Sequence, residues 1–211
     1  MDVMMLHRYP TLRDLAGLRS VPTPLAESAL LVIDAQVAYS PSGVLPIPDI
    51  DAATAHIAQL LAEARRRVVP IIHVGHGGSP GSPFDPVDGG RFLPATTPNG
   101  DEMVVKKTLP NAFARTNLTE LIEALGRPLV ICGFMTHMCV SSTARAALDL
   151  GWETSIVSDA TATRPLRSAL SGHVVDAATM HDAALSALAD RFSAVAPTSA
   201  FLDTPEQCEV A

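Results

Sequence analysis

Residues 129–147, read as LVICGFMTHMCVSSTARAA, constrain the fold of this chain most, because two hydrophobic patterns meet there. Residues 129–132 form a continuous apolar run, as expected of a strand buried on both faces of a parallel sheet. From Val140 onward, small and apolar residues recur every three to four positions until Gly151, as expected of a helix. The pattern predicts a strand that ends at Gly133 and a helix that begins near Cys139.

The same alternation of strand-like and helix-like patterns recurs along most of the chain. Asn117 and Glu120 have the spacing of a capping box for one helix, and the last helix is predicted over residues 171–189. The alternation predicts one α/β domain with a mostly parallel sheet, helices on both faces and right-handed crossovers. The other strand-like runs lie at residues 29–33, 71–74, 103–105, 154–157 and 192–196.

Cys139 is the first candidate functional residue. At the start of a helix, its thiol would face unpaired backbone N–H groups and the positive end of the helix dipole, a setting that favours a thiolate. A cysteine among apolar neighbours is also commonly a buried small hydrophobe. Its position alone leaves both interpretations open.

Charged residues close two of the other predicted strands. Asp34 ends the first strand, where open α/β sheets place their ligands, although an aspartate there is also common as a helix cap or turn former. Lys106 and Lys107 follow the third strand, where a lysine pair is also typical of a solvated strand edge. These positions become specific only in combination with Cys139.

The segment GFMTHMCV resembles the cysteine segment of the isochorismatase-like cysteine hydrolases. Members of that family also carry an Asp that closes the first strand, matched by Asp34, and a Lys six residues before the Phe of an Ala-Phe pair. Because that pair is residues 112–113 here, the spacing selects Lys107 over Lys106. The resemblance runs from about Ala29 to Ala196 and implies a three-layer, Rossmann-like fold.

The resemblance implies a hydrolase that cleaves an amide, imide, ureido or related C–N bond of a small molecule. Cys139 would attack the carbonyl carbon and form a thioester, while Asp34 would accept the thiol proton and pass it to the leaving amine. Lys107 would stabilise both charges, and Gln36 would support Asp34. Relatives that hydrolyse the vinyl ether of isochorismate do not depend on this thiol, so Cys139 favours C–N over C–O chemistry.

The resemblance also implies where the oxyanion is held and where substrates are selected. The oxyanion hole would consist of the backbone N–H groups of Cys139 and Met135, the second of which follows a cis peptide bond at Phe134–Met135. Specificity would lie in residues 39–48 and 79–100. The side chains expected to line the pocket are Gln36, Tyr39, His76, Phe113 and His137.

Three other functions were weighed against this one. A C–O hydrolase of the isochorismatase type remains the main alternative. A non-catalytic binding protein on the same fold would be expected to lose at least one of Asp34, Lys107 and Cys139, and all three are present. A nucleotide-dependent oxidoreductase would need a glycine-rich turn after the first strand, which is absent.

No metal or other cofactor is expected. The metal-binding nicotinamidases of the family carry an Asp-x-His near the exit of the second strand and a His after Trp-Pro, and neither element is present. His73 and His76 are three residues apart on an extended segment, so their side chains are predicted to face opposite sides of the sheet. His181 is expected to make an amphipathic helix contact.

Composition excludes several classes of partner. The net charge is -7 and the only basic run is residues 65–67, which argues against nucleic acid or an anionic membrane surface. Three cysteines without metal spacing do not form a disulfide framework, and the sequence shows neither a signal-like core nor a membrane-length apolar run. A cytoplasmic protein is therefore expected. The mean hydropathy of +0.24 predicts a homodimer or homotetramer that covers apolar surface.

The sequence divides into three parts. Residues 1–28 contain Pro10, Pro22 and Pro24, and predict an arm that lies over the domain or a neighbouring subunit, or else a partly ordered tail. Residues 29–196 form the predicted hydrolase domain. Residues 197–211, which include Cys208, form a tail without a recognisable signal.

Overall fold

The computed structural model describes residues 9–18 and 21–202, and a six-stranded parallel sheet forms its centre. The strands are β1 (Ala29–Ile33), β2 (Ile71–His76), β3 (Met103–Lys107), β4 (Leu129–Phe134), β5 (Thr154–Ala162) and β8 (Ala194–Ala196). Their order in the sheet is β3-β2-β1-β4-β5-β8, and every neighbouring pair is parallel. The prediction of a mostly parallel sheet is confirmed.

Helices cover both faces of this sheet, so the fold has the predicted three layers. The helices are α1 (Leu12–Leu15), α2 (Ile50–Arg66), α3 (Leu118–Leu125), α4 (Ser141–Asp149) and α5 (Ala177–Arg191). The buried side of α2 packs on one face with Leu30, Val32 and Val130, whereas α3, α4 and α5 pack on the other with Leu31 and Ile131. Alternate residues of β1 and β4 thus feed two separate cores, which explains their continuous apolar sequences.

The chain crosses over at β1, which lies between β2 and β4. Successive strands are added to one side of β1 as far as β3 and then to the other side from β4 onward. A crevice forms at the carboxyl ends of the strands where the direction of winding reverses. The ends of β1, β3 and β4 therefore place Asp34, Lys107 and the Cys139 segment at one edge of the sheet.

The last third of the domain differs from the sequence prediction. Residues 171–176 precede the final helix instead of forming its first turns, since α5 begins at Ala177 with the Asp176 side chain accepting a hydrogen bond from Thr179 N–H. Short strands β6 (Leu166–Arg167) and β7 (Val174–Val175) form an antiparallel hairpin whose turn includes Gly172 at φ +73°. A glycine in that conformation does not continue a helix, although the sequence pattern places Gly172 inside the predicted one.

Two smaller predictions are also corrected. Strand β5 continues to Ala162 beyond the predicted end, because its pairing with β4 resumes after an irregularity between Ile131 and Gly133. The predicted capping box at α3 is wrong, since the Asn117 side chain makes no capping hydrogen bond and Thr116 Oγ1 accepts the bond from Leu118 N–H instead.

The N-terminal arm is described only in part. Helix α1 lies against α5, where the Leu12 N–H donates to Asp190 Oδ1 over 2.9 Å. Residues 1–8 and 19–20 of the predicted arm, and residues 203–211 of the predicted tail with Cys208, lie outside the described residues. No helix in the described ranges combines the length and apolar character needed to span a bilayer.

Candidate active site

Asp34 immediately follows β1 at the carboxyl edge of the sheet. Its backbone has φ +47°, in the left-handed region that residues other than glycine adopt at an energetic cost. Its N–H donates to the Val74 carbonyl of the neighbouring strand over 2.8 Å, which holds this conformation in place. The carboxylate is completely buried, and its strained backbone turns it toward β3 and the Cys139 segment.

Lys107 ends β3 and supplies the counter-charge to Asp34. Its Nζ lies 2.7 Å from Asp34 Oδ2, and both side chains are fully buried. Lys106 is exposed on the other side of the strand, as the alternation of side chains requires. The structure therefore separates the two lysines in the way that the sequence spacing indicated.

Cys139 lies in a turn that begins after β4. The peptide bond between Phe134 and Met135 is cis, at the position that the family resemblance implied. The next residues, Thr136–Val140, form a single π-helical turn, and α4 begins only after it. Cys139 thus precedes the α-helix, whereas the sequence placed it in the first helical turn. Its Sγ accepts a hydrogen bond from Lys107 Nζ over 3.3 Å.

Gly133 lets β4 approach β1 closely just before this turn. Its φ is +109°, and a Cβ atom added there would lie 2.0 Å from the Ile33 carbonyl oxygen, which belongs to rigid backbone. Only glycine satisfies both the conformation and the contact. The close approach brings the Cys139 turn next to Asp34, the residue that follows Ile33.

Electrostatics at the site correct the expectation of a resting thiolate. Burial and the negative charge of Asp34 raise the pKa of the Cys139 thiol to about 12, and Lys107 opposes this effect only in part. Burial raises the pKa of Asp34 as well, while Lys107 lowers it. The Cys139 thiol therefore favours its protonated form, next to Asp34 and Lys107, and a base is needed to remove its proton.

His76 belongs to the same cluster, through a contact that sequence reasoning missed. Lys107 Nζ lies 3.2 Å from His76 Nδ1, and burial followed by the charge of Lys107 lowers the pKa of this histidine. A neutral imidazole that accepts at Nδ1 carries its proton on Nε2. The predicted pocket residue is thus also a partner of the buried lysine.

Comparison with known proteins identifies the family of this chain. The family model for the isochorismatase domain matches residues 28–200. The chain belongs to the isochorismatase family. A crystal structure of an isochorismatase from Pseudomonas putida KT2440 is 41% identical with a TM-score of 0.88, and the match covers 92% of this chain and 100% of that one.

Curated relatives of this isochorismatase-family hydrolase include both characterised and uncharacterised proteins. The uncharacterized isochorismatase family protein YddQ of Bacillus subtilis is 35% identical, and the match covers 83% of this chain and 98% of YddQ. The ureidoacrylate amidohydrolase RutB of Azorhizobium caulinodans is 30% identical over 66% of this chain and 80% of RutB. The family, its fold and its hydrolase class are thereby established for this chain.

The Gln36 side chain connects two segments that border the candidate active site and forms no hydrogen bond with the Asp34 side chain. Its Oε1 accepts from the His76 N–H over 2.9 Å, and its Nε2 donates to the His76 and Gly90 carbonyls over 2.9 and 2.7 Å. These bonds connect the end of β2 to the 79–100 loop. Gln36 therefore positions His76. Its N–H donates to the Asp34 carbonyl over 2.8 Å, but its side chain bonds to His76 and Gly90 and not to the Asp34 carboxylate.

The other three predicted pocket residues surround the site at different depths. Tyr39 is buried and makes edge contacts with Phe84 and Phe134, at ring-centroid distances of 5.6 and 6.1 Å. Phe113 lies in the same buried cluster as Cys139. His137 is partly buried at the turn, where its Nδ1 is hydrogen-bonded to Thr163 Oγ1.

A cavity of about 950 Å³ adjoins the site under the 79–100 loop. His76 and Lys107 form part of its wall, whereas Asp34 and Cys139 do not. Its remaining wall includes Gly75, Phe84 and Phe92, so much of the surface beside the polar cluster is apolar. The loop contains one short 3-10 helix, Pro94–Thr96. It therefore shapes the space next to the cluster of Asp34, Lys107 and Cys139.

A possible metal-ligand set also emerges from the fold. Potential ligand atoms of Asp34, His76 and Cys139 lie within 4.8 Å of one another, a set of three that the sequence motifs did not reveal. Lys107 Nζ contacts all three side chains and already supplies a positive charge between them. Because a second cation there would be repelled, the protein is predicted to hold no stoichiometric zinc or iron, which elemental analysis after dialysis without chelator will test.

Two other features near the site were assigned from structure rather than from sequence. His181 Nδ1 is hydrogen-bonded to Thr136 Oγ1 over 2.9 Å, so this histidine supports the Cys139 turn, whereas the sequence indicated a helix contact. Arg164 follows β5 at the same edge of the sheet and was not identified as a functional residue. The sequence offers no signal for it, because the predicted strand ends at residue 157 and only the longer observed strand brings Arg164 to this edge.

Proposed function

We propose that this protein is a cysteine hydrolase that cleaves a C–N bond of a small amide, imide or ureido compound through a thioester. The observation that carries the proposal is the contact of one buried ammonium, Lys107 Nζ, with both Asp34 Oδ2 and Cys139 Sγ, at 2.7 and 3.3 Å. Such an arrangement links a base, a nucleophile and a counter-charge without solvent between them. The name of the related ureidoacrylate amidohydrolase is consistent with the bond type.

In the first half-reaction, Asp34 accepts the Cys139 proton as the sulfur attacks the carbonyl carbon. Apart from Lys107 and this thiol, no donor in the described part of the chain satisfies the two Asp34 oxygens, so the carboxylate is available as a base. The raised pKa of the thiol makes concerted removal of its proton necessary. Lys107 then stabilises the thiolate that develops.

The tetrahedral intermediate requires donors for its oxyanion. We assign these to the backbone N–H groups of Met135 and Cys139. The N–H groups of Met138 and Val140, on either side of Cys139, both donate to the Met135 carbonyl and so hold the turn in a fixed shape. Preorganised donors of this kind contribute strongly to acyl transfer.

Collapse of the intermediate breaks the C–N bond. Asp34 delivers the proton it received to the leaving nitrogen, which departs as an amine or ammonia, and Cys139 remains as a thioester. Asp34 then accepts a proton from a water molecule that attacks the thioester, and returns it to the departing sulfur. Proton and electron-pair movements balance over the two half-reactions, and no cofactor participates.

An ammonia-release screen over small primary amides and ureides tests the proposal, and imides are followed by the carboxylic acid that their hydrolysis forms. The wild-type protein is compared with Cys139→Ser, which retains the size of the side chain but has a hydroxyl that is far harder to ionise, and with Cys132→Ala as a matched control. Cys132 is completely buried in β4 and lies in the other core, away from the Asp34 and Lys107 cluster. Turnover is expected to collapse only in Cys139→Ser, whereas substrate binding persists.

Mass spectrometry in a single turnover provides the direct measurement. An adduct equal to the acyl part of the substrate should appear on Cys139 of the wild-type protein. Near-full turnover by Cys139→Ser would show that the thiol is not the nucleophile and would favour the alternative C–O hydrolysis.

A further inference from the structure

Arg164 lies beside the proposed nucleophile at the carboxyl edge of the sheet. Strand β5 pairs with β4 through Thr161 opposite Gly133 and Ala162 opposite Phe134, so the residues that follow β5 run alongside the residues that lead to Cys139. The hydrogen bond between Thr163 and His137 ties this segment to the Cys139 turn. Arg164 is thereby held at the edge of the candidate active site.

The Arg164 side chain lacks the partners that a partly buried guanidinium ordinarily has. Its Nε is inaccessible to solvent and donates to no acceptor. Across residues 9–18 and 21–202, no carboxylate forms an ion pair with it. Buried donors in folded proteins are nearly always satisfied, so this one indicates an acceptor that arrives with a ligand.

The charge of Arg164 also reaches the groups around Cys139. Burial lowers the pKa of His137, and Arg164 lowers it further, so this histidine adds no positive charge at neutral pH. Burial, Asp34 and Cys139 raise the pKa of Tyr39, and Arg164 is the group that opposes them. Tyr39 therefore lies within electrostatic reach of both Asp34 and Arg164.

The two cations of the site differ in how their charges are balanced. Lys107 is neutralised by Asp34, whereas Arg164 has no anion of its own among the described residues. A guanidinium binds carboxylates through two parallel hydrogen bonds. One uncompensated positive charge matches a monoanion better than a dianionic phosphate, which would leave negative charge unbalanced in a partly buried place.

We infer that the substrate carries a carboxylate that Arg164 binds while the scissile carbonyl lies over Cys139. The inference rests on the proposed function for the identity of the reacting carbonyl. It narrows the substrate class from small amides and ureides in general to amido or ureido acids. Arg164 would then act in binding and orientation and would take no part in proton transfer.

Paired alkylating agents test this inference without knowledge of the substrate. Iodoacetate and 3-iodopropionate carry a carboxylate, whereas iodoacetamide and 3-iodopropionamide are their neutral counterparts. The rate of modification of Cys139 by each reagent is followed by mass mapping, in a buffer of low ionic strength. The ratio of acid to amide rates reports anion recognition and cancels differences in thiol reactivity.

Three variants give this ratio its meaning. Arg164→Gln is expected to lower the rates of the acids about tenfold or more while the rates of the amides stay within about twofold. Arg164→Lys should recover part of the lost rate with the acids, because lysine keeps the positive charge but lacks the paired N–H donors of the guanidinium. Arg127→Gln is the matched control, since Arg127 is partly exposed, like Arg164, but lies just before β4, at the opposite end of the sheet. Equal losses for acids and amides in Arg164→Gln, or the same loss in Arg127→Gln, would overturn the inference.

Calorimetric titration separates this inference from the proposed mechanism. Malonate and succinate are titrated against their diamides in the wild-type protein and in Arg164→Gln. At least one acid should bind the wild-type protein more tightly than its diamide, and the substitution should weaken it about tenfold or more. If no reagent modified Cys139, the proposed nucleophile would be in doubt, and this titration alone would decide the role of Arg164. Equal binding of the acids by both proteins would overturn it.

Discussion

Lys106 and Lys107 are adjacent in the sequence but occupy very different environments. Lys107 is buried against Asp34, His76 and Cys139, while Lys106 projects to solvent from the other side of β3. A buried ammonium is stable only when anions or acceptors surround it, and Asp34 provides the charge. Lys107 is close to both the proposed base, Asp34, and the proposed nucleophile, Cys139. Its loss should therefore affect both groups.

Lys107→Met is expected to lower kcat/KM about 10²–10⁴-fold on an amide substrate, because base and nucleophile both lose their counter-charge. The pH profile should change as well. Burial raises the pKa of Asp34 and Lys107 lowers it, so removal of Lys107 raises that pKa further. Asp34 must be ionised to act as a base, and the acid limb of the residual activity should therefore move to higher pH.

Lys106→Met is the matched control for this experiment. It removes the same charge from the neighbouring position and should leave both the rate and the acid limb nearly unchanged. An acid limb that stays in place in Lys107→Met would show that Asp34 is not the group that controls it.

At the scale of elements, Glu102 joins three parts of the chain that border the site. Its carboxylate accepts two hydrogen bonds from Arg65 of α2, at 2.7 and 3.0 Å, together with bonds from His73 of β2 and from the Asn99 N–H. Burial raises the pKa of Glu102, but these bonds outweigh burial and bring it to about 2. Glu102 thus anchors the end of the 79–100 loop to the sheet.

Glu102→Gln is expected to lower the free energy of unfolding by about 1–3 kcal/mol at neutral pH. Since the folded pKa lies below the usual 4.5, the stabilisation by the carboxylate is complete above about pH 4.5 and is lost as the pH falls toward 2. The difference between wild type and variant should therefore shrink over that range. Urea unfolding at several pH values measures it.

Glu63→Gln is the control, because within residues 9–18 and 21–202 the Glu63 carboxylate bonds to Arg66 and Arg67, at the end of its own helix, and to no other part of the fold. It should change stability much less than Glu102→Gln at neutral pH. A Glu102→Gln difference that stays constant from pH 6 to pH 2 would contradict the assignment of the stabilisation to the ionised carboxylate.

At the scale of the whole molecule, apolar side chains remain on the surface of the single chain. Leu170 and Val174 on the β6–β7 hairpin are 100% and 72% exposed. The hairpin pairs with no other strand of the described chain. Two-stranded hairpins have little stability by themselves, and exposed apolar groups of this kind are typical of subunit contacts.

The protein is predicted to form a homodimer or homotetramer in which this hairpin contacts another subunit. Light scattering coupled to size-exclusion chromatography should give a mass of at least two chains of 22.2 kDa. The double variant Leu170→Ser/Val174→Ser should shift the distribution toward monomer. A monomeric wild-type protein at micromolar concentration would refute the prediction.

The sequence by itself determined the fold class and indicated the candidate site residues. Continuous apolar runs of the length of β1 and β4 are typical of strands buried on both faces, and they predicted a mostly parallel sheet but not the order of its strands. The family resemblance selected Lys107 over Lys106 by its spacing from Phe113, and alternation along β3 then requires the two lysines to lie on opposite sides of the strand. Local patterns of this kind depend on few distant contacts.

The tertiary structure decided how these residues act on one another. The expectation of a thiolate at Cys139 came from local position, which indicates the helix dipole but not the desolvation and the nearby Asp34 charge that raise the pKa of the thiol. The contact of His76 with Lys107 joins β2 to β3, and the absence of an anion beside Arg164 depends on every element around it. Charge balance in a buried site is a sum over neighbours that lie far apart in the chain, so only the assembled fold determines it.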